Sequence, residues 1–131
     1  MTTKFIATGS AIFMLAMGVG FTFFPHELTM QIVPDNASHT TLLSQVMGAM
    51  YIGFAILNWT QKNSLIGGIY NRPLVLANFS HFMIGGLPLL KTVILKTTSS
   101  SLLIAATIIY VIFALLFGWL MFRHPLVKQE K

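Results

Sequence analysis

Four apolar runs, each long enough to cross a bilayer, take up most of this chain and leave it few ways to fold. A helix rises about 1.5 Å per residue, so roughly 20 apolar residues span the hydrocarbon core. Phe5–Phe24 meets that requirement, from just after Lys4 to just before Pro25. Thr41–Thr60 is the second run, Pro73–Val93 the third and Ser101–Phe122 the fourth, stopped by Arg123, His124 and Pro125. Asn71 stands as an N-cap for the third, and Pro73 suits its first turn. In lipid the backbone has no water to bond, so these runs must be helical. The expectation is an all-α integral membrane protein, residues 1–131 forming one four-span domain. Short links make successive helices antiparallel neighbours, which gives an up-down-up-down four-helix bundle.

Composition removes the soluble alternatives. Only 8% of the residues are charged while 55% are hydrophobic, against about 25% charged in a soluble domain. So little charge cannot clothe so much apolar surface in a wettable shell. The net charge of +5 does not point to nucleic acid, because the basic residues sit at the ends of apolar runs and form no stripe with interleaved aromatics. With no cysteine, disulfides, thiolate metal sites and cysteine nucleophiles are excluded. The first run exceeds the 7–15 residues of a secretory signal and has no small-x-small cleavage site after it, so it reads as a membrane helix.

Charge also orients the bundle. With four spans, Lys4, Lys62, Arg72, Arg123, Lys128 and Lys131 share the side of the termini, against Lys91 and Lys96 on the other. The positive-inside rule then puts both termini in the cytoplasm, with the two lysines of the third loop dissenting. Trp59, Tyr70 and Trp119 fall at the inner interface as an aromatic belt. Between Pro25 and Pro34 a short interfacial helix is expected, and Gly67-Gly68 marks a flexible turn. Lys91 and Lys96 are placed to snorkel to headgroups. Asn36-Ala37-Ser38 matches the glycosylation sequon, which matters only in a eukaryotic secretory setting.

Two helices carry a polar face. Ser44, Gly48, Tyr51, Ala55 and Asn58 follow helical spacing on the second span, with Gln45 on the shoulder; Asn78, His81, Gly85, Pro88 and Thr92 repeat the device on the third. An unsatisfied polar group in lipid costs several kcal/mol, so the two faces should meet each other or line a shared cavity. From the helical rise, Tyr51 and His81 lie roughly 14 and 12 Å from the inner ends of their helices. Tyr51–His81 and Asn58–Asn78 contacts are therefore predicted. Small residues four apart (Ala7/Ala11, Ala16/Gly20, Ser44/Gly48, Ala49/Gly53, Ala114/Gly118) offer close helix packing within the chain or between copies. Pro88 leaves the carbonyl of Ile84 without its helical donor, which makes Gly85-Gly86 with Pro88 either a tolerated kink, or a hinge or ligand-facing carbonyl; Gln45, at similar depth, is a candidate donor to that carbonyl.

Gln45, Tyr51, Asn58, Asn78 and His81 are thus the ligand or polar-cavity candidates, with no catalytic residue and no metal site assigned. His81, the one histidine well inside a span, is a functional candidate by position, yet a hydrogen bond to Tyr51 or Asn78 accounts for it equally. Haem or metal needs further ligands, and His26, His39 and His124 all lie at span ends, so no cofactor is expected. The acidic residues Glu27, Asp35 and Glu130 lie outside the spans, which leaves no carboxylate for acid–base work or cation coupling in the membrane. There is no HExxH, P-loop or GxSxG motif.

The segment LSQVMGAMYIGFAILNW at Leu43–Trp59 resembles the second helix of small four-helix bacterial membrane proteins of the DoxX-like and DUF4345-like kind. Phe23-Phe24-Pro25 resembles the break that ends their first span, and Gly48-Ala49-Met50-Tyr51-Ile52-Gly53 their Gly-x-x-Tyr-x-Gly pattern. The resemblance covers about the first half of the chain and implies a bacterial inner-membrane bundle, with no activity attached. Three function classes fit these residues. One is a non-enzymatic accessory, assembly or lipid-binding protein, with the bilayer, a larger membrane protein or a second copy as partner. Another is a transporter of a small neutral or weakly ionised solute between the second and third spans. The third is a membrane enzyme acting on a lipid or quinone through His81 and Tyr51.

Overall fold

The computed structural model describes residues 2–32, 38–63, 72–95 and 100–122. They form α1 (Thr2–Phe23), α2 (Pro25–Ile32), α3 (Ser38–Gln61), α4 (Arg72–Ile94) and α5 (Ser101–Phe122), with no strand among them. The all-α bundle expected from the sequence is what forms. Four of its helices are long and apolar enough to cross a membrane: Thr3–Phe23, Thr40–Gln61, Arg72–Ile94 and Ser101–Phe122. Their outer faces carry large apolar side chains such as Phe5, Leu43, Ile84 and Leu115, more than half exposed. That surface suits lipid as its solvent, and the chain is a membrane protein. The Asn36 sequon, Gly67-Gly68, Tyr70, Asn71, Lys96 and the segment from Arg123 onward lie outside the described residues.

The helix α2 is the short helix expected after Pro25. Phe24 N–H donates to the Gly20 carbonyl (2.8 Å) and Leu28 N–H to that of Phe24 (3.2 Å), so the chain turns from α1 into α2 almost without a break. Thr29 Oγ1 donates back to the Pro25 carbonyl at 2.6 Å and holds the turn.

The bundle is two helical hairpins. Within each, packing is close and runs along the helices: α1 lies along α3, and α4 along α5, while α2 rests on α1 and α3. Dispersion and backbone proximity must drive this, since burying apolar surface gains little when the surroundings are lipid. The closest point is a glycine pair. A Cβ on Gly48 would lie 2.4 Å from Thr22 Oγ1, 2.8 Å from Thr22 N and 2.9 Å from the Gly18 carbonyl oxygen. A Cβ on Gly18 would in turn lie 2.9 Å from both the Gly48 carbonyl oxygen and Ile52 N. The two backbones therefore touch. Thr22 Oγ1 is buried there with no hydrogen-bond partner, resting on Gly48 where a weak Cα–H···O contact is available.

Of the small-residue pairs, Ala7, Ala11, Gly48 and Ala114 are turned inward, and Gly118 meets Phe79. Ala16, Ala49 and Gly53 face outward, and a Cβ on Gly53 would meet nothing. Between the hairpins the contact is made by side chains. Phe13 of α1 packs against Phe82, Tyr110 and Phe113 with ring centroids 6.0–6.4 Å apart. Phe82, fully buried, stacks on Phe113 at 5.0 Å and Phe117 at 5.9 Å.

Candidate functional site

Two polar clusters bridge the hairpins, one above the other along α3 and α4. The lower one is built on Asn58 and Asn78, 1% and 0% exposed. Their primary amides pair reciprocally: Asn58 Nδ2 donates to Asn78 Oδ1 and Asn78 Nδ2 to Asn58 Oδ1, both at 2.8 Å. The second N–H of each amide is also used. Asn78 donates to the Leu74 carbonyl one turn back at 3.0 Å, and Asn58 to Ser10 Oγ at 3.1 Å, with Met14 Sδ at 3.7 Å. The Ser10 hydroxyl in turn donates a hydrogen bond to the Ala7 carbonyl at 3.0 Å. Every donor in this cluster is spent. Helix geometry explains the match: the two asparagines sit at one depth on antiparallel helices, so both amide planes can align.

The upper cluster joins Tyr51, Tyr110 and His81. The Tyr51 and Tyr110 hydroxyls are hydrogen-bonded to each other, and the Tyr110 hydroxyl also reaches His81 Nε2 at 3.2 Å. The Tyr51 and His81 rings meet edge-on at 5.3 Å. The predicted Tyr51–His81 neighbours are therefore in contact as rings, while their polar link runs through a third residue. Phe21 stacks on Tyr51 at 6.0 Å, and Phe54 and Phe82 flank His81 at 5.0 and 5.3 Å. His81 is half-buried, whereas Tyr51 and Tyr110 are buried.

Tyr110 reaches this position because α4 has no side chain in its way. A Cβ on Gly85 would lie 2.9 Å from Tyr110 Cε1, and one on Gly86 3.6 Å from Tyr110 Cβ. The glycine pair thus seats a ring. The helix α4 runs unbroken through Pro88 to Ile94, and Thr92 Oγ1 donates to the Pro88 carbonyl at 2.8 Å. A tolerated proline describes this segment better than a hinge.

Gln45 is the candidate that the structure leaves apart. It is exposed, among the outward side chains Leu42, Val46 and Ala49. One residue is a 100° turn of helix, and that step from buried Ser44 carries Gln45 off the polar face. Ser44 itself bonds back to the Thr40 carbonyl at 2.8 Å. Ser10 and Tyr110 escaped the sequence reading. Tyr110 had a signal: with Thr107 it is one of few polar groups in a run that is otherwise apolar from Leu102 to Phe122.

Among the described residues no group of three or more His, Cys, Asp or Glu is placed to hold a metal. Chemically, the lower cluster is a closed clamp. The upper one is a short phenol–phenol–imidazole chain that ends on a partly accessible ring. Tyr110→Phe is expected to cost about 1 kcal/mol of stability, the scale of one buried hydrogen bond, and to shift the His81 ring resonances. Unchanged His81 resonances would show that the Tyr110 bond does not form.

Among the described residues, a groove opens on the outside of each helix pair. One lies between α4 and α5, about 320 Å³, along Phe79, Met83, Gly86, Leu87, Leu115 and Trp119. The other, about 280 Å³, lies between α1 and α3 beside Ile12, Ala55 and Trp59. Comparison with protein-family models, with curated proteins and with solved structures finds no match for this chain.

Proposed function

We propose that this chain is a non-enzymatic membrane protein that acts through lateral contacts in the bilayer, as a lipid-binding or accessory subunit. The observation that carries this is the closure of its polar core. Asn58 and Asn78 direct their donors at each other, at Ser10 and at a backbone carbonyl. A solute path along α3 and α4 needs polar groups free to exchange with water, and these are occupied. The surfaces left open are apolar and face outward. The distribution of lysine and arginine supports termini in the cytoplasm, and the resemblance to DoxX-like proteins supports a bacterial inner membrane.

A second reading rests on His81. Its ring is half-buried and its Nε2 is bonded to the Tyr110 hydroxyl, which in turn bonds that of Tyr51, so a lipid-soluble molecule such as a quinone has an acid–base partner to meet there. Native mass spectrometry of protein released gently from its own membrane separates the readings. A bound lipid or a co-purifying larger subunit is the expected result. A bare chain that turns over a quinone or conducts a solute in vesicles, and loses that activity in His81→Phe, would overturn the lateral-contact reading.

A further inference from the structure

The α4–α5 groove does not end in apolar surface; it runs out to a cation. Arg72, Leu76, Phe79, Met83, Leu87 and Leu90 recur at steps of three and four, so they share one face of α4. On α5 the facing positions are Val111, Leu115, Trp119 and Phe122, at the same kind of spacing. A second cavity, lined by Arg72, Pro73, Leu76, Met121 and Phe122, continues this face at the end of the hairpin. From Arg72 to Met83 the helix rises about 16 Å, roughly half the thickness of the hydrocarbon core. One leaflet therefore spans the stretch from the charge to the middle of the groove.

The shape suits a hydrocarbon chain. Gly86 and Ala114, both buried, form the floor, while Leu87, Leu115 and Trp119 rise as half-exposed or exposed walls. A floor of small residues between taller apolar walls makes a channel along the helix pair that an acyl chain can follow. Arg72 is exposed, and the only carboxylate among the described residues, Glu27, sits in α2 at the opposite end of the bundle. An exposed guanidinium at the membrane surface is matched by a phosphate, to which it donates in a bidentate fork.

We propose that the α4–α5 groove is a binding site for an anionic phospholipid of the leaflet on the side of the termini, its headgroup on Arg72 and one acyl chain along Leu76, Phe79 and Met83. This rests on the lipid-binding reading and gives it a site and a headgroup charge. One basic residue near an anionic surface contributes about 1 kcal/mol, which converts to about a fivefold preference.

Trp119 lines the groove and serves as the reporter once Trp59 is replaced by Phe. The full chain is placed in phosphatidylcholine vesicles containing either phosphatidylglycerol or phosphatidylcholine brominated on its acyl chains. Brominated phosphatidylglycerol is expected to quench Trp119 as though enriched about fivefold over brominated phosphatidylcholine. Arg72→Gln should bring that ratio close to one with helicity unchanged, and Arg72→Lys should retain most of it. Equal quenching by both lipids in the chain with native Arg72 would overturn the proposal, while a lipid still found by native mass spectrometry would leave the broader reading standing. Protection of Trp119 from both lipids would show a second copy or another helix over the groove, and would overturn it as well.

Discussion

One methyl added at Gly48 is expected to cost about 3 kcal/mol, the upper range for overpacking a tight interface, because it must push α1 off α3. The three atoms in its path lie within 3.0 Å, and two of them are backbone: Thr22 N and the Gly18 carbonyl oxygen. A side chain in the way can rotate; a helix backbone can only translate. Translation here would loosen the whole hairpin, since these helices associate by proximity and not by any gain from leaving water. Gly53→Ala is the control. It lies on the same helix in open space, and should be neutral or slightly stabilising from better helix propensity. Reversible unfolding of Gly48→Ala and Gly53→Ala in mixed micelles, followed by far-ultraviolet ellipticity, provides the comparison. Equal stability of the two variants would mean that the α1–α3 backbone contact does not exist.

Asn78→Leu is expected to lose about 2 kcal/mol, which reflects a stranded partner more than a lost bond. Leucine keeps the branched four-atom skeleton of asparagine, so the amide is removed with its shape roughly kept, and its bulkier methyl groups add some overpacking to the loss. Asn58, however, keeps its amide and loses both of its 2.8 Å bonds to Asn78, and it is buried from the surface. The double variant Asn58→Leu/Asn78→Leu removes the stranded group. It should recover much of the loss, with a coupling of at least about 1 kcal/mol between the sites. Strict additivity of the two single effects would remove the reciprocal amide pair from the account.

These two sites differ in how far the sequence announces them. The asparagine pair was legible, because an amide inside a span needs a partner and simple helical rise puts Asn58 and Asn78 at one depth. The same arithmetic brought Tyr51 to His81, and their rings do meet. It could not supply Tyr110, whose approach depends on the lateral placement of α5 and on the absence of side chains at Gly85 and Gly86. Helix limits were legible to within a few residues, since run length and the prolines at 25 and 73 mark them. Gln45 was over-read: polarity suggested the inner face, but its angular position next to Ser44 points outward. The Gly18–Gly48 contact was half-legible. Gly48 belonged to a small-residue pair; Gly18 also has a small residue four positions on, Thr22, a pair that went unread.

The division into α1–α3 and α4–α5 has a consequence for how the protein is made. Close backbone contact lies within each hairpin, and the joint between them is made by rings and amides at the tips of side chains. As the ribosome delivers the chain, the first hairpin can therefore enter the bilayer and close before the second has been synthesised. Until then Asn58 holds an N–H and a carbonyl oxygen whose partner is Asn78. The polar pair thus acts as an address within the nascent protein: the later hairpin is drawn to the one face of the earlier hairpin where an amide waits at the right depth.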